Sequence, residues 1–145
     1  MSQPTHLVCG SCGTENRLPA ERLHDKPKCG KCHGPLFPVK PFTLDGRTLE
    51  RHIAKDGVPL LVDFWASWCG PCRTMAPQFE AAAQSLIPTA RLAKLNTETA
   101  TETAAALGIS AIPTMVLFSG GREVARTSGV MDARAIVRWT EQQLA

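Results

Sequence analysis

Six cysteines arranged as three Cys-x-x-Cys units constrain this chain more than any other feature of its sequence. Cys9/Cys12 and Cys29/Cys32 are separated by sixteen residues, whereas Cys69/Cys72 stands alone in different surroundings. Two pairs at that spacing match the pattern of a four-thiolate zinc site. Two residues between ligands let one tight turn present two sulfurs to one cation. Gly10, Gly13 and Gly30 relieve the backbone where its N–H groups turn toward those sulfurs. Four thiolates close the tetrahedron and leave no open position, so a structural Zn2+ is expected. The competing assignments are an accessory redox pair, a rubredoxin-like iron site, or His24 or His33 in place of a cysteine. His33 adjoins Cys32, which argues against both reaching the same metal.

At 145 residues the chain has room for one ordinary domain and a small appendage, not for two full cores. No apolar run approaches the ~18 residues of a membrane span, and Met1-Ser2-Gln3-Pro4 lacks the apolar stretch of a signal peptide. A soluble, cytosolic protein is expected, in a compartment whose reducing poise argues against a disulfide framework. Residues 1–40 carry six Lys/Arg against three acids, which accounts for the whole net charge of +3, and the remaining residues balance. The larger part thus has no electrostatic bias toward nucleic acid or anionic membrane.

Residues 1–33 show little apolar periodicity and cannot offset the entropy of ordering without an added constraint. Residues 34–41 hold three prolines and read as an extended, semi-rigid linker. The expected organisation is a four-cysteine module over 1–33, a linker over 34–41 and a domain over 42–145. In that domain, 48–55 reads as a short helix with Leu49 and Ile53 on one face. Residues 60–65 form a run apolar at consecutive positions, expected of a central strand buried on both faces. Residues 71–86 read as a helix with Pro71 in its first turn and Pro77 as a kink. A strand over 91–96 and a helix over 100–107, introduced by the capping-box pattern Thr99-x-x-Glu102, follow. A hairpin over 114–118 and 123–127 and a last helix from Asp132 complete an α/β arrangement, a mixed sheet with helices on both faces.

The segment Trp68-Cys69-Gly70-Pro71-Cys72 places Cys69 just before a helix, where unpaired N–H groups and the dipole favour a thiolate. Cys72, one turn further on, is more shielded. This asymmetry suits reversible thiol–disulfide exchange, with Cys69 as nucleophile and Cys72 as resolving thiol. A carboxylate buried within a strand has a raised pKa, so Asp63 is expected to serve as acid and base toward Cys72. Trp68 borders the reactive sulfur and is placed to touch partners.

From Val62 to Cys72 the sequence resembles the active-site strand and loop of the thioredoxin family, and Ile112-Pro113-Thr114 is similar to that family's second signature. The resemblance spans residues 41–145. It implies a thioredoxin fold, a cis peptide bond before Pro113, Lys94 near Asp63, and a substrate surface formed by Trp68, Gly70, Pro71, Ile112, Pro113 and Gly129. Ile112 is expected to offer main-chain hydrogen bonds to an extended substrate, and Gly129 to leave space for its backbone. With the four N-terminal cysteines, the whole chain looks like the zinc-containing bacterial branch of the family. That implies a monomeric protein-disulfide reductase acting on disulfide-containing clients and recycled by an NADPH-dependent thioredoxin reductase. The nucleotide and flavin belong to that partner, since this chain has no dinucleotide-binding glycine motif. Two other functions compete: an adaptor that docks through its basic module, and a stress sensor in which thiol oxidation expels zinc.

Overall fold

The computed structural model describes residues 4–145; residues 1–3, with which the expected module begins, lie outside the described residues. Five strands form a mixed sheet in the order β3 (Phe42–Leu44), β5 (Arg91–Asn96), β4 (Leu60–Trp65), β6 (Thr114–Ser119) and β7 (Arg122–Ser128), and a separate sheet of β1 (Pro4–Val8) and β2 (Glu15–Pro19) lies in the N-terminal part. The central strand β4 (Leu60–Trp65) pairs in parallel with β5 (Arg91–Asn96) and antiparallel with β6 (Thr114–Ser119). β7 (Arg122–Ser128) closes one edge through a two-residue turn, Gly120-Gly121, whose φ values of +64° and +85° suit glycine. The other edge, β3 (Phe42–Leu44), is parallel to β5 and is too short to announce itself by pattern.

The consecutive apolar residues of β4 are explained by two cores, one on each face of the sheet. Leu61 packs with Met75, Phe79 and Leu86 of α2 (Gly70–Leu86) and Ile136 of α4 (Ala133–Leu144). Leu60, Val62 and Phe64 face Leu49 of α1 (Gly46–Lys55) and Ala100, which precedes α3 (Thr101–Ala106). Alternation along the strand therefore sends Asp63 to the α2 side, with Leu61.

The helix boundaries follow their caps. Asp45 accepts from Thr48 N at 2.8 Å while Thr48 Oγ1 accepts from Asp45 N at 2.9 Å, so α1 starts two residues before the expected 48. Asp132 caps α4 through Ala135 N at 2.8 Å, as its position suggested. The Thr99-x-x-Glu102 box does not form: Thr99 Oγ1 donates to Asn96 O at 3.2 Å, and Ala100 holds the N-cap position without a side-chain bond. α2 runs through Pro77, which is exposed.

The N-terminal part is built of β1 (Pro4–Val8), antiparallel β2 (Glu15–Pro19) and a 3-10 turn over Ala20–His24. The proline-bearing run 34–41, expected as an extended, semi-rigid linker, also contributes to a core. Leu36 and Phe37 are buried with Leu7, Cys9 and Cys29, alongside Val58 and Ile87 of the larger part. Apolar surface inside the run wins over the stiffness that its prolines suggest, and draws module and domain together.

Candidate active site and metal centre

Cys69 is the N-cap of α2, its backbone extended at φ −86° and ψ 109°, and its Sγ accepts from Cys72 N at 3.2 Å. Gly70 and Pro71 form the first helical positions, where proline's missing N–H leaves no helical bond unmade. Cys69 and Cys72 are joined by a disulfide, their Cα atoms 5.3 Å apart. Both are 3% exposed, so in the disulfide form Cys72 is no more shielded than Cys69, contrary to expectation; the pair packs with Ala66, Trp65 and Ile112. Trp68 beside them is 69% exposed, an uncovered apolar face at the site's edge.

The loop before α2 is held by bonds that its sequence did not advertise. Ser67 Oγ donates to both carboxylate oxygens of Glu98 (2.8 and 2.9 Å), and Arg73 Nη1 donates to Ser67 O at 2.6 Å. Thr97 N donates to Trp65 O at 2.8 Å. Ser67, Arg73 and Glu98 thus fix the turn that aims Cys69, and only their three-dimensional pairing reveals it.

The Ile112–Pro113 peptide is cis, as the resemblance implied, and Ile87–Pro88 is also cis, which the sequence reading did not anticipate. Ile112 O lies 3.8 Å from Cys69 Sγ, so residues 112–113 border the disulfide. Gly129 N donates to Pro113 O at 2.9 Å, bringing Gly129 to the same rim. At φ +100° it occupies backbone space that other residues adopt with strain, and nothing lies within 4 Å of where its Cβ would be.

Asp63 is fully buried, and neither of its oxygens has a hydrogen-bond partner among the described residues. Burial pushes its pKa up to about 6, against the opposing pull of Lys94. Asp63 and Lys94 are directly paired across β4 and β5, and Lys94 Nζ sits 5.0 Å from the centre of the Trp65 ring. The two residues expected to be neighbours are neighbours.

The four N-terminal cysteines converge, with all Sγ atoms within 4.8 Å of one another. Cys9–Cys32 and Cys12–Cys29 are each 3.6 Å apart, close to the ~3.8 Å between corners of a tetrahedron with Zn–S bonds of about 2.3 Å. The two ligand loops repeat one geometry: Cys9 N and Cys29 N donate to Thr14 O and Gly34 O, each at 2.8 Å. Gly13 at φ +77° in the first loop is matched by His33 at φ +65° in the second, so His33 serves the turn and lies outside the sulfur cluster. Ser11, Lys31 and Gly34 each aim a backbone N–H at a cysteine Sγ at 3.4 Å.

Four sulfurs this close compete for charge. The Cys32 N–H, the Asn16 amide and the Lys31 N–H hold Cys29 down to about 6. Although the Gly34 N–H favours its thiolate, Cys32 is pushed up to about 11 by Cys9 and by burial. A dication removes that conflict, and the donor set, geometry and N–H···S bonds all fit zinc.

Comparison with known proteins gives the geometry its context. The thioredoxin family model matches residues 40–142, and the family described as "Thioredoxin 2, N-terminal" matches residues 8–34. The chain belongs to the thioredoxin family. It is 41% identical to thioredoxin C-3 of Corynebacterium nephridii, covering 95% of this chain and 94% of that one. A thioredoxin of Alicyclobacillus acidocaldarius is 51% identical over 61% of this chain and 83% of its own length. Among solved structures, a thioredoxin variant from Halobacterium salinarum superposes with a TM-score of 0.66 at 31% identity, covering 74% of this chain and 94% of that one. The fold is the thioredoxin fold with an N-terminal zinc ribbon, and the family's chemistry is thiol–disulfide oxidoreduction.

Proposed function

We propose that this thioredoxin is a protein-disulfide reductase in which Cys69 attacks and Cys72 resolves. The observation that carries this reading is the seat of Cys69 Sγ at the N-terminus of α2, where the Cys72 N–H points at it from 3.2 Å. In the reduced protein the Cys69 thiolate attacks one sulfur of a client disulfide, forming a mixed disulfide and releasing the client's other sulfur as thiolate. The Cys72 thiolate then attacks Cys69 Sγ, the mixed disulfide breaks, and the second client thiolate leaves. Two electrons have passed to the client, and the Cys69–Cys72 bond remains.

Asp63 takes the proton from Cys72 as that thiol becomes a nucleophile, a role suited to a carboxyl whose pKa lies near 6. Lys94 tunes it. Clients lie along the rim of Trp68, Gly70, Pro71, Ile112, Pro113 and Gly129. A thioredoxin reductase, bringing NADPH and flavin, reopens Cys69–Cys72. The Mycobacterium leprae relative named "bifunctional thioredoxin reductase/thioredoxin", 44% identical over 80 residues, supports that pairing. Cys9, Cys12, Cys29 and Cys32 hold a structural Zn2+, which when bound offsets half of their negative charge and cross-links a module with little core of its own. A reducing compartment such as the cytosol is the setting this chemistry calls for.

The test is NADPH-coupled reduction of insulin disulfides with a thioredoxin reductase, together with metal analysis. Cys69→Ser is expected to abolish turnover, and Cys72→Ser to accumulate covalent mixed disulfides. Turnover retained in Cys69→Ser refutes the reading.

A further inference from the structure

A buried polar junction joins the two cysteine-bearing parts, and none of its residues is among those assigned above to disulfide exchange. Arg91, the first residue of β5, is 2% exposed. Its Nη1 donates to Val8 O at 2.9 Å and to Leu36 O at 3.1 Å, while Nη2 pairs with Asp56 Oδ2 at 2.7 Å. Asp56 Oδ1 accepts from Val8 N at 2.8 Å, and His52 Nδ1 donates to Asp56 Oδ2 at 2.7 Å. Both backbone polar groups of Val8 are thus bonded to side chains of the thioredoxin domain, the N–H to Asp56 and the carbonyl to Arg91. Gly57 N adds a bond to His6 O at 2.6 Å.

The clamped residues border the metal ligands. Val8 directly precedes Cys9. Leu36 lies two residues after Gly34, whose carbonyl accepts from Cys29 N and whose N–H points at Cys32 Sγ. Arg91 Cζ stands 5.3 Å from the centre of the Phe42 ring, against which Gly10 of the first ligand loop packs so closely that a Cβ would fall 2.5 Å from it. One buried guanidinium therefore reaches the start of the first ligand loop, the end of the second, and the domain beneath both.

We propose that Arg91 and Asp56 are positioning residues for the metal centre: by clamping Val8 and Leu36 they pre-set both ligand loops and so set how long zinc is retained. Loops held in their ligating form give up less conformational freedom on closing around the ion, and opening them to release it must break bonds to a buried charge pair. Outer-shell partners of metal ligands commonly change affinity by about 10- to 100-fold. Linkage makes the effect reciprocal, so zinc in the module stabilises residues of the domain.

The inference rests on Cys9, Cys12, Cys29 and Cys32 being a zinc site, and the experiment separates the two. Full-length protein with reduced cysteines is loaded with zinc, and release to excess chromogenic chelator is timed below the unfolding transition. Arg91→Met and Asp56→Asn are expected to release zinc at least tenfold faster than the native chain, Arg91→Lys at an intermediate rate, and the exposed Arg138→Met at the native rate. Timing release at temperatures where every protein is folded excludes global unfolding as the route by which zinc leaves. Hydrogen exchange on the native chain requires no variant: stripping zinc is expected to expose the Gly57 and Arg91 amides as well as those of residues 4–37. Native release rates in Arg91→Met, or exchange changes confined to 4–37, overturn the proposal while leaving the zinc site intact. A chain that binds no zinc overturns both.

Discussion

Replacing Asp63 by Asn isolates the energetic consequence of an ionised carboxylate in the core. The side chain is fully buried with both oxygens unpartnered, and folding raises its pKa from the ordinary 3.8 to about 6. At 1.36 kcal/mol per pKa unit, that difference amounts to about 3 kcal/mol. The sign is set by proton binding. Between pH 4 and 6 the folded chain holds a proton that the unfolded chain has released, so stability falls as pH rises through that window. Above it the full penalty remains. Asp63→Asn is nearly isosteric with the protonated acid, so the two proteins are expected to match near pH 4. At pH 8 the variant is expected to be more stable by about 3 kcal/mol, or roughly 6–12 °C in Tm. Urea unfolding of both disulfide forms, followed across pH 4 to 8, measures the offset. Protonation of the N-terminal cysteine cluster at acid pH affects both proteins alike, so the difference between them is the readout. Coincident curves at pH 8, or an offset that does not vary with pH, would show that Asp63 is not a buried, titrating carboxyl.

Other perturbations follow from single contacts. Lys94→Met removes the cation that opposes burial, so the Asp63 pKa is expected to rise further above 6, which a carboxyl-carbon NMR titration reads directly. Asp45→Ala breaks the capping box of α1 and is expected to destabilise by about 1 kcal/mol at pH 7 in urea unfolding. Because the Thr48 N–H holds the Asp45 carboxyl below its ordinary range, that contribution is present at neutral pH and fades as pH falls through its folded pKa. Gly10→Ala drives a methyl into the Phe42 ring, which is hemmed in by Arg91 and His52, and is expected to lose about 1–3 kcal/mol of stability. Its active-site reduction potential is expected to stay at the native value.

The local features were legible because they are written in short spacings. The first two Cys-x-x-Cys units each announce a pair of sulfurs that one turn can present, and the fold brings all four within 4.8 Å. The apolar run 60–65 announces a strand covered on both faces, and β4 has a core on each side. Cys69 before Pro71 announces a helix start, and Cys69 is its N-cap. Period and capping chemistry act within a few residues, so a single sequence displays them. The same logic misfired at Thr99, whose hydroxyl donates to Asn96 O while Ala100 takes the N-cap position.

The junction had no such signature. Arg91 read as an ordinary strand residue, and the proline-bearing run that contains Leu36 read as a semi-rigid linker. Their partners lie 83 and 55 positions from Arg91, a separation that no local pattern spans. Cysteine spacing and hydrophobic period marked two thiol clusters and a mixed sheet between helices, while the resemblance carried by residues 62–72 and 112–114 implied which fold holds them. Only tertiary structure decided that the centres share one scaffold, because a buried guanidinium must find acceptors wherever the folded chain supplies them.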